Sequence, residues 1–276
     1  MNKVDFAIII TAEKCNPNGD ALAPNIPRQD INGYGEISDV CLKRKIRDRL
    51  FEMGESILVV KNDDVTDDLY SVKDRVRAVK ELKALKNDRE GYKRLCCETW
   101  IDVRAFGQVF PFKDLTGFSS IPVRGPVSLG IATSLKPVDI VTMNFTKSTN
   151  LTTDNLSAPE EKDSTTRQVK YIIDRGVYVA YGSISPHLAS LTGFTADDAV
   201  KMKSAMSRLL ENDESSARPS GSMTSTLIWA EHRHGTVASP AKVHRSFGIR
   251  SEEQYPYYKI DIKPIEGIDY DIISDF

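Results

Sequence analysis

The chain has 276 residues, of which 40% are hydrophobic and 28% are charged, as is ordinary for a globular protein. Its net charge of −2 argues against a protein that coats nucleic acid indiscriminately. It has neither a run of about eighteen apolar residues nor the apolar region of a signal peptide, so we expect no transmembrane helix and no secretion. The four cysteines lack C-x-x-C spacing, which favours a cytoplasmic protein with reduced thiols.

The first predicted elements are a strand, a long loop and a helix. Apolar alternation at residues 4–10 predicts a largely buried strand. Residues 15–37 are rich in Pro, Gly, Asn and Asp, and a loop this long is usually functional or disordered. Ser38 is a good N-cap for the helix that follows. One sector of this helix is apolar and is expected to face a core: Leu42, Ile46, Leu50 and Met53.

The same helix concentrates cations near its start: Lys43, Arg44, Lys45, Arg47 and Arg49. Cations are disfavoured at the positive end of the helix macrodipole, so their concentration there suggests that they face anions, and phosphate groups fit. The alternative is a solvated helix face.

The later elements follow from helical or alternating spacing. In order they are a surface helix at 72–95, a short strand at 99–103, strands at 122–133, 139–147 and 171–185, a helix at 195–212 and a final strand at 223–231. Residues 148–166 have almost no large apolar residues and are predicted to form an excursion between strands. Without insertions, the order is strand, helix, strand, strand, helix, strand. This is the βαββαβ ferredoxin-like pattern of an α+β fold.

Charge is unevenly distributed along the chain. Residues 73–94 contain nine Lys or Arg and four Asp or Glu, a net charge of +5, whereas residues 251–276 contain two Lys and seven Asp or Glu, a net charge of −5. This distribution allows head-to-tail self-association, but a solvated helix and a frayed acidic tail would explain it equally well. His232 and His234 share one face of a strand, and without clustered carboxylates or cysteines we favour a surface or structural role over zinc binding.

Four segments carry a resemblance to a known family: N-P-N-G-D at 16–20, S-D-V-C-L-K-R-K-I-R at 38–47, D-V-R-A-F-G-Q-V-F at 102–110 and V-R-G-P-V at 123–127. In this order they resemble the CRISPR-associated Cascade backbone protein, the seventh family of Cas proteins, and most closely its type I-C subtype. The resemblance runs from about Asp5 to about His234.

The resemblance implies a modified RNA-recognition-motif (RRM-like) palm with inserted segments, all within a single domain at 1–276. The expected parts are the palm at 3–53, 98–147 and 171–235, helical fingers at 54–97, a thumb-like loop at 148–170 and a C-terminal extension at 236–276. Ordinary RNA-recognition domains stack bases on sheet aromatics in K/R-G-F-G-F-V motifs. Because this sequence has no such motif, we expect loops and helix ends to hold the RNA.

The function implied is a non-enzymatic one, in which copies of the chain polymerise head-to-tail along a CRISPR RNA (crRNA) and present it to a target DNA strand in antiviral defence. The other implied partners are the Cas-five and Cas-eight type subunits of Cascade. We expect no membrane partner, no metal and no cofactor.

The resemblance and the chemistry of amides, cations and flexible glycines nominate the following RNA-binding residues: Asn16, Asn18, Gly19, Arg28, Lys43, Arg44, Arg47, Arg104, Phe106, Gly107, Arg124, Gly125 and Arg167. The nomination of Arg28 rests only on charge and position. The alternatives are a structured turn for N-P-N-G-D and a core position for Phe106. Arg167 belongs to T-T-R-Q, where the family usually has M-G-R/K, so the thumb departs from the family pattern.

Two other functions remain open. In type III backbone subunits, an aspartate in the loop after the first strand cuts target RNA, and by resemblance Asp20 would be its counterpart. A lone aspartate is a poor metal site, and the motifs here are those of type I-C, so we favour binding without cleavage. The second alternative is a ferredoxin-like scaffold that binds no nucleic acid.

Overall fold

The computed structural model of the chain describes residues 1–146, 167–236 and 238–275. Its strands are β1 (Val4–Cys15), β2 (Tyr34–Ile37), β3 (Gly107–Phe110), β4 (Ile121–Arg124), β5 (Val127–Leu129), β6 (Ala132–Pro137), β7 (Ile140–Thr146), β8 (Arg167–Ile184), β9 (Met223–His232), β10 (Arg250–Ser251), β11 (Tyr258–Lys259) and β12 (Ile268–Ser274). Its helices are α1 (Asp39–Glu52), α2 (Val72–Ala78), α3 (Lys80–Ala84), α4 (Arg89–Thr99), α5 (Ile101–Phe106), α6 (Lys113–Thr116), α7 (Pro186–Thr192), α8 (Ala196–Ser207) and α9 (Pro240–Ser246).

An antiparallel sheet organises the fold, with strand order β12-β9-β1-β8-β6-β2, and β5 and β7 also pair with β8. Strand β1 lies in the middle, where Val4 is opposite Ile184 of β8 and Glu231 of β9. Both faces of β1 are covered, which explains why its sequence is nearly continuously apolar.

Helices α1 and α8 cover one face of the sheet. Phe6 and Ile8 of β1 belong to the same buried cluster as Ile46 of α1 and Met206 of α8. The predicted apolar sector of α1 is confirmed, because three of its members are fully buried and the fourth packs against the cluster: Leu42, Ile46, Leu50 and Met53.

The C-terminal segment covers the opposite face of the sheet. Ile9 of β1 and Val177 of β8 pack in a second cluster with Val243 and Phe247 of α9 and with Tyr258 of β11. The sequence had indicated only a polar extension after a final strand, yet α9 and three strands follow β9. This layer therefore buries the sheet face opposite α1 and α8.

Residues 54–97 contain α2, α3 and most of α4, where one helix had been predicted over residues 72–95. The first break follows from the extended backbone of Val79. The second lies at Asn87, whose φ is 75°, and at Asp88, which caps α4 by accepting a hydrogen bond from Gly91 N.

The predicted strand at 99–103 is wrong, because these residues end α4 and begin α5. The alternation of apolar and polar residues was misleading here, because Asp102, which this pattern predicts to face solvent, is buried. Its carboxylate accepts hydrogen bonds from Leu58 N at 2.8 Å and Val59 N at 3.2 Å. A buried polar side chain with long-range partners gives no local signal.

Three smaller features also differ from the prediction or extend beyond it. Residues 135–137, which lie between two predicted strands, belong to β6, and the helix predicted to reach residue 212 ends at Ser207. Most of the predicted thumb-like loop at 148–170 lies outside the described residues, although 167–170 form the start of β8. Among the described residues, we find no helix long and apolar enough to cross a membrane.

Candidate nucleic-acid interface

The loop after β1 is attached to the start of α1 by hydrogen bonds. Asn18 Oδ1 accepts from Ser38 N at 2.9 Å, and Ser38 Oγ accepts from Cys41 N at 3.2 Å, which caps the helix. Farther along the loop, Arg28 N donates to Asn18 O at 3.0 Å. The loop is therefore held against the helix end and does not project freely.

Two of the nominated loop residues make contacts within the loop itself. Asn16 is only 2% exposed, and its Nδ2 donates to Asn25 O at 2.6 Å. A Cβ on Gly19 would lie 1.8 Å from Asn25 Oδ1, so this position has no room for a side chain. Asn16 and Gly19 thus maintain the shape of the loop.

Asp20, the candidate nuclease residue, accepts hydrogen bonds from Leu22 N at 3.1 Å and Arg28 Nη1 at 3.4 Å. Its side chain and that of Arg28 are 37% and 39% exposed. Within residues 1–146, 167–236 and 238–275, no group of three or more His, Cys, Asp or Glu side chains is placed to hold a metal ion.

Every cation at the start of α1 has a carboxylate partner within the chain. The pairs are Lys43 with Asp39, Arg44 with Asp48, Lys45 with Asp213, Arg47 with Asp102, and Arg49 with Glu52 and Glu211. The side chains of Lys45 and Arg49 are only 4% and 6% exposed, so both are structural. Inside the folded chain, the anionic partners of these cations are therefore carboxylates.

Arg47 connects the cations of α1 to α5. Lys43 and Arg47 are four residues apart and therefore share a helix face. The guanidinium of Arg47 lies 5.0 Å from the centroid of the Phe106 ring. Phe106 precedes Gly107, which pairs with Arg124 across β3 and β4. Arg124 is exposed and makes no ion pair with any described residue. The Arg47 side chain is only 13% exposed and is bonded to the buried Asp102, so it belongs to the internal framework. We call the set Lys43, Arg44, Phe106 and Arg124 the α1 ribbon.

The two nominated glycines beside the α1 ribbon are required by protein packing. Gly107 has a φ of +81°, and a Cβ there would lie 2.4 Å from Val123 O. A Cβ on Gly125 would lie 2.2 Å from Ala105 O. The close approach that these glycines permit is thus between two backbone segments of the chain.

Arg104 connects α5 to α8. Its Nε and Nη2 donate to the two carboxylate oxygens of Asp198 at 3.0 and 2.7 Å, and its Nη1 donates to Cys97 O at 3.2 Å. Burial raises the pKa of Asp198, but hydrogen bonds from Arg104 and Thr195 outweigh this effect, so the pKa lies below its ordinary value. Arg104 is therefore part of the internal framework, and we leave it out of the α1 ribbon.

Arg167 is the first residue of β8 and lies opposite Thr146 of β7. Its side chain lies outside the described residues. Its predicted role in RNA binding stays a prediction.

Comparison with known proteins identifies the family. Residues 2–272 match the family described as CRISPR-associated protein Cas7. The chain belongs to the Cas7 family. A curated Cas7-family relative, the CRISPR-associated protein Cas7 of Haloferax volcanii, is 25% identical over 255 residues, which cover 85% of this chain and 72% of the relative.

Two solved structures are also similar to this Cas7-family chain. One is a chain of a "CRISPR RNA-guided surveillance complex, pre-nicking", with 14% identity, a TM-score of 0.49, and coverage of 87% of this chain and 79% of that chain. The other is a chain of a "CRISPR RNA-guided surveillance complex", with 18% identity, a TM-score of 0.47, and coverage of 92% and 77%.

Proposed function

We propose that this Cas7-family chain is the crRNA-binding backbone subunit of a type I-C Cascade effector. Copies assemble head-to-tail along the guide and present it to the target DNA strand, and the complex also contains Cas-five and Cas-eight type subunits. The family match supports the Cas7 part of the proposal, and the four sequence motifs support the type I-C subtype. Base pairing would read the target while the protein holds the guide backbone.

The observation that carries the proposal is the α1 ribbon. Lys43 and Arg44 are 25% and 29% exposed, and each pairs with a carboxylate four residues away on the same helix. Partly exposed pairs four residues apart on a helix contribute only about 0.3–0.5 kcal/mol. A guide phosphate can therefore replace the carboxylate as partner at little cost, and a charge-assisted bond to phosphate stabilises the bound state.

The sheet supports a ferredoxin-like, RRM-like palm in this proposal. We take β1, β6, β8 and β9 as the first to fourth strands of the βαββαβ pattern. In the sheet they lie in the order β9-β1-β8-β6, that is fourth, first, third and second, and all neighbouring strands are antiparallel. The C-terminal layer covers the face opposite α1. The guide would accordingly lie along the α1 side, at the loop after β1 and the exposed positions of the α1 ribbon.

We further propose that the chain binds RNA without cutting it. Asp20 is paired with Arg28 and has no cluster of metal-ligating side chains around it among the described residues. Incubating the guide-loaded complex with labelled complementary RNA and magnesium tests this point. Cleavage products that vanish in Asp20→Ala would instead support the nuclease alternative.

The guide-binding test compares two double variants of matched exposure and pairing. Lys43→Ala with Arg44→Ala should flatten the slope of log K against log salt by roughly 0.7 for each phosphate group that is no longer bound. Lys201→Ala with Lys203→Ala removes two cations of α8 that are 32% and 26% exposed and also paired with carboxylates, and it should leave the slope unchanged. Equal slopes in wild type and the α1 variant, with native circular dichroism, would refute the assigned interface.

The backbone part of the proposal is tested by assembly. Purified with its own CRISPR array, the protein should carry small RNA and show a raised ratio of absorbance at 260 nm to that at 280 nm. Light scattering coupled to size exclusion should then show whole subunits added as the guide lengthens, as expected for heterologous contacts that form an open filament. A mass of one subunit for every guide length would reject polymerisation, and absence of RNA would favour the scaffold alternative.

A further inference from the structure

A pair of cations faces solvent on the C-terminal layer. Arg250 of β10 is directly opposite Lys259 of β11. Arg250 and Lys259 therefore share one side of a two-stranded ribbon. Lys263 is exposed on the segment that follows β11, where its N–H donates to Ser246 O at 2.8 Å. We call Arg250, Lys259 and Lys263 the cationic face.

The cationic face has no internal electrostatic explanation. Arg250, Lys259 and Lys263 are exposed, whereas Tyr258 on the other side of the ribbon is buried in the core. Like charges directly opposite each other destabilise a pair of strands. Asp261 lies between Lys259 and Lys263 in sequence, but neither it nor any other described carboxylate forms an ion pair with the three cations. An anionic ligand would relieve this repulsion.

A cavity of about 450 Å³ opens next to the cationic face, where the chain continues from β10. Its wall includes Lys136 and Arg175 from the sheet, and Glu252, Glu253 and Tyr257 from the C-terminal layer. The guanidinium of Arg175 lies 4.3 Å from the centroid of the Tyr257 ring. The volume is within the range of about 300–1,000 Å³ that small-molecule sites occupy.

Tyr257 is held in an unusual backbone conformation at this cavity. Its φ is 70°, which is rare for a bulky residue. Its N–H donates to Gln254 O and its carbonyl accepts from Glu252 N, both at 2.7 Å, and the nearby Glu13 carboxylate raises the pKa of its hydroxyl. Strain of this kind persists where the surroundings impose it, and it concentrates at ligand sites.

The chemistry of the cavity and that of the cationic face suit different parts of one ligand. Glu252 and Glu253 would repel a phosphate inside the cavity, but their carboxylates can accept hydrogen bonds from the exocyclic amino group of a nucleobase. Tyr257 and Arg175 already stack on each other, and the parts of this pair that line the cavity offer a flat surface for a base. The phosphates would then lie outside, on the cationic face.

We propose that the C-terminal layer binds a single-stranded nucleic acid, with its phosphodiester backbone on the cationic face and an amino-bearing base in the adjacent cavity. An acidic peptide would satisfy Arg250 and Lys259, but it offers nothing flat to stack on Tyr257 and would be repelled by Glu252. The site lies on the sheet face opposite α1 and does not depend on the proposed function.

The test measures fluorescence anisotropy of labelled oligonucleotides of about eight nucleotides, a length that one single-strand site accommodates. Arg250→Ala with Lys259→Ala should flatten the salt slope by about 1.4, which corresponds to two phosphate groups. Lys80→Ala with Lys83→Ala removes two exposed cations of α3 that form no ion pair with a described residue, and it should leave the slope unchanged. An equal effect of the two double variants would overturn the proposal, because it would show indiscriminate attraction.

Base preference tests the cavity. Oligo(A) and oligo(C) should bind at least about fivefold more tightly than oligo(U) or oligo(T), and Glu252→Gln with Glu253→Gln should reduce this preference. Parallel RNA and DNA series show which backbone binds more tightly, and either result supports the site. Equal binding of all bases, or equally effective competition by a polyglutamate peptide, would overturn it.

Tyr257→Gly provides a variant that should fold. Glycine accepts a φ of 70° without strain, which offsets part of the packing lost with the ring. The variant should therefore fold with a lowered melting temperature while the base preference is lost. Retained base preference in this variant would contradict stacking on Tyr257. Running the series in the Lys43→Ala, Arg44→Ala background keeps the result separate from guide binding, because effects at independent sites add.

Discussion

Arg104→Ala should lower the free energy of unfolding by about 3 kcal/mol and leave the salt dependence of guide binding unchanged. The side chains of Arg104 and Asp198 are only 16% and 5% exposed. Removing one partner of a buried pair costs about 3–5 kcal/mol because the other charge is left uncompensated. The lower end applies here, since Thr195 continues to donate two hydrogen bonds to the Asp198 carboxylate.

Urea unfolding followed by circular dichroism measures this loss. With a slope of about 3 kcal/mol per molar urea, the midpoint should fall by about 1 M. Arg104→Lys should recover only part of the loss, because an ammonium group cannot make the two parallel bonds. A double-mutant cycle with Asp198→Ala should give a coupling energy of about 0.5–3 kcal/mol.

The opposite outcome would identify Arg104 as a residue that binds the guide. In that case, the variant would lose less than about 1 kcal/mol of stability, the amount typical of an exposed pair. Its salt slope for guide binding would also fall by about 0.7. This combination would refute the structural role assigned to the ion pair.

Three further predictions concern acidity, thiol reactivity and packing. The pKa of Asp198 is lowered in the folded state, so the stability from its pairing is present above the unfolded pKa of about 4 and is lost as the pH falls through the folded pKa. In urea unfolding, the stability difference between wild type and Arg104→Ala should therefore shrink between about pH 5 and pH 2. A constant difference would contradict the pairing. Burial raises the pKa of the Cys97 thiol to about 11, so only about 0.1% is thiolate at pH 8 and alkylation by iodoacetamide, followed by mass spectrometry, should be slow until urea is added. In thermal unfolding, Gly107→Ala should cost more stability than Gly54→Ala. Both glycines have a φ above +80°, but of the two only Gly107 has backbone atoms within 3 Å of the new Cβ. Equal costs would show that the backbone around Gly107 relaxes to accommodate the methyl group.

Elements whose signals are local could be predicted from the sequence. The apolar run of β1 and the apolar sector of α1 follow from periodicity, because alternation and helical spacing state which sides of an element are apolar. The capping signal at Ser38 also held, since a cap involves residues only three positions apart. The four motifs indicated the Cas7 family, and the match of residues 2–272 to that family confirmed it.

The partners of the charged residues could not be predicted, because they depend on long-range contacts in the fold. Lys45 pairs with Asp213, 168 positions away, and Arg104 with Asp198, 94 positions away. No local pattern encodes such a partner. The cations of α1, which the sequence predicted to face phosphate groups, therefore form ion pairs with carboxylates in the folded chain. The same reason hid the C-terminal layer and the cavity at Tyr257: scattered apolar residues such as Val243 form a packed face only when folding brings the sheet beneath them.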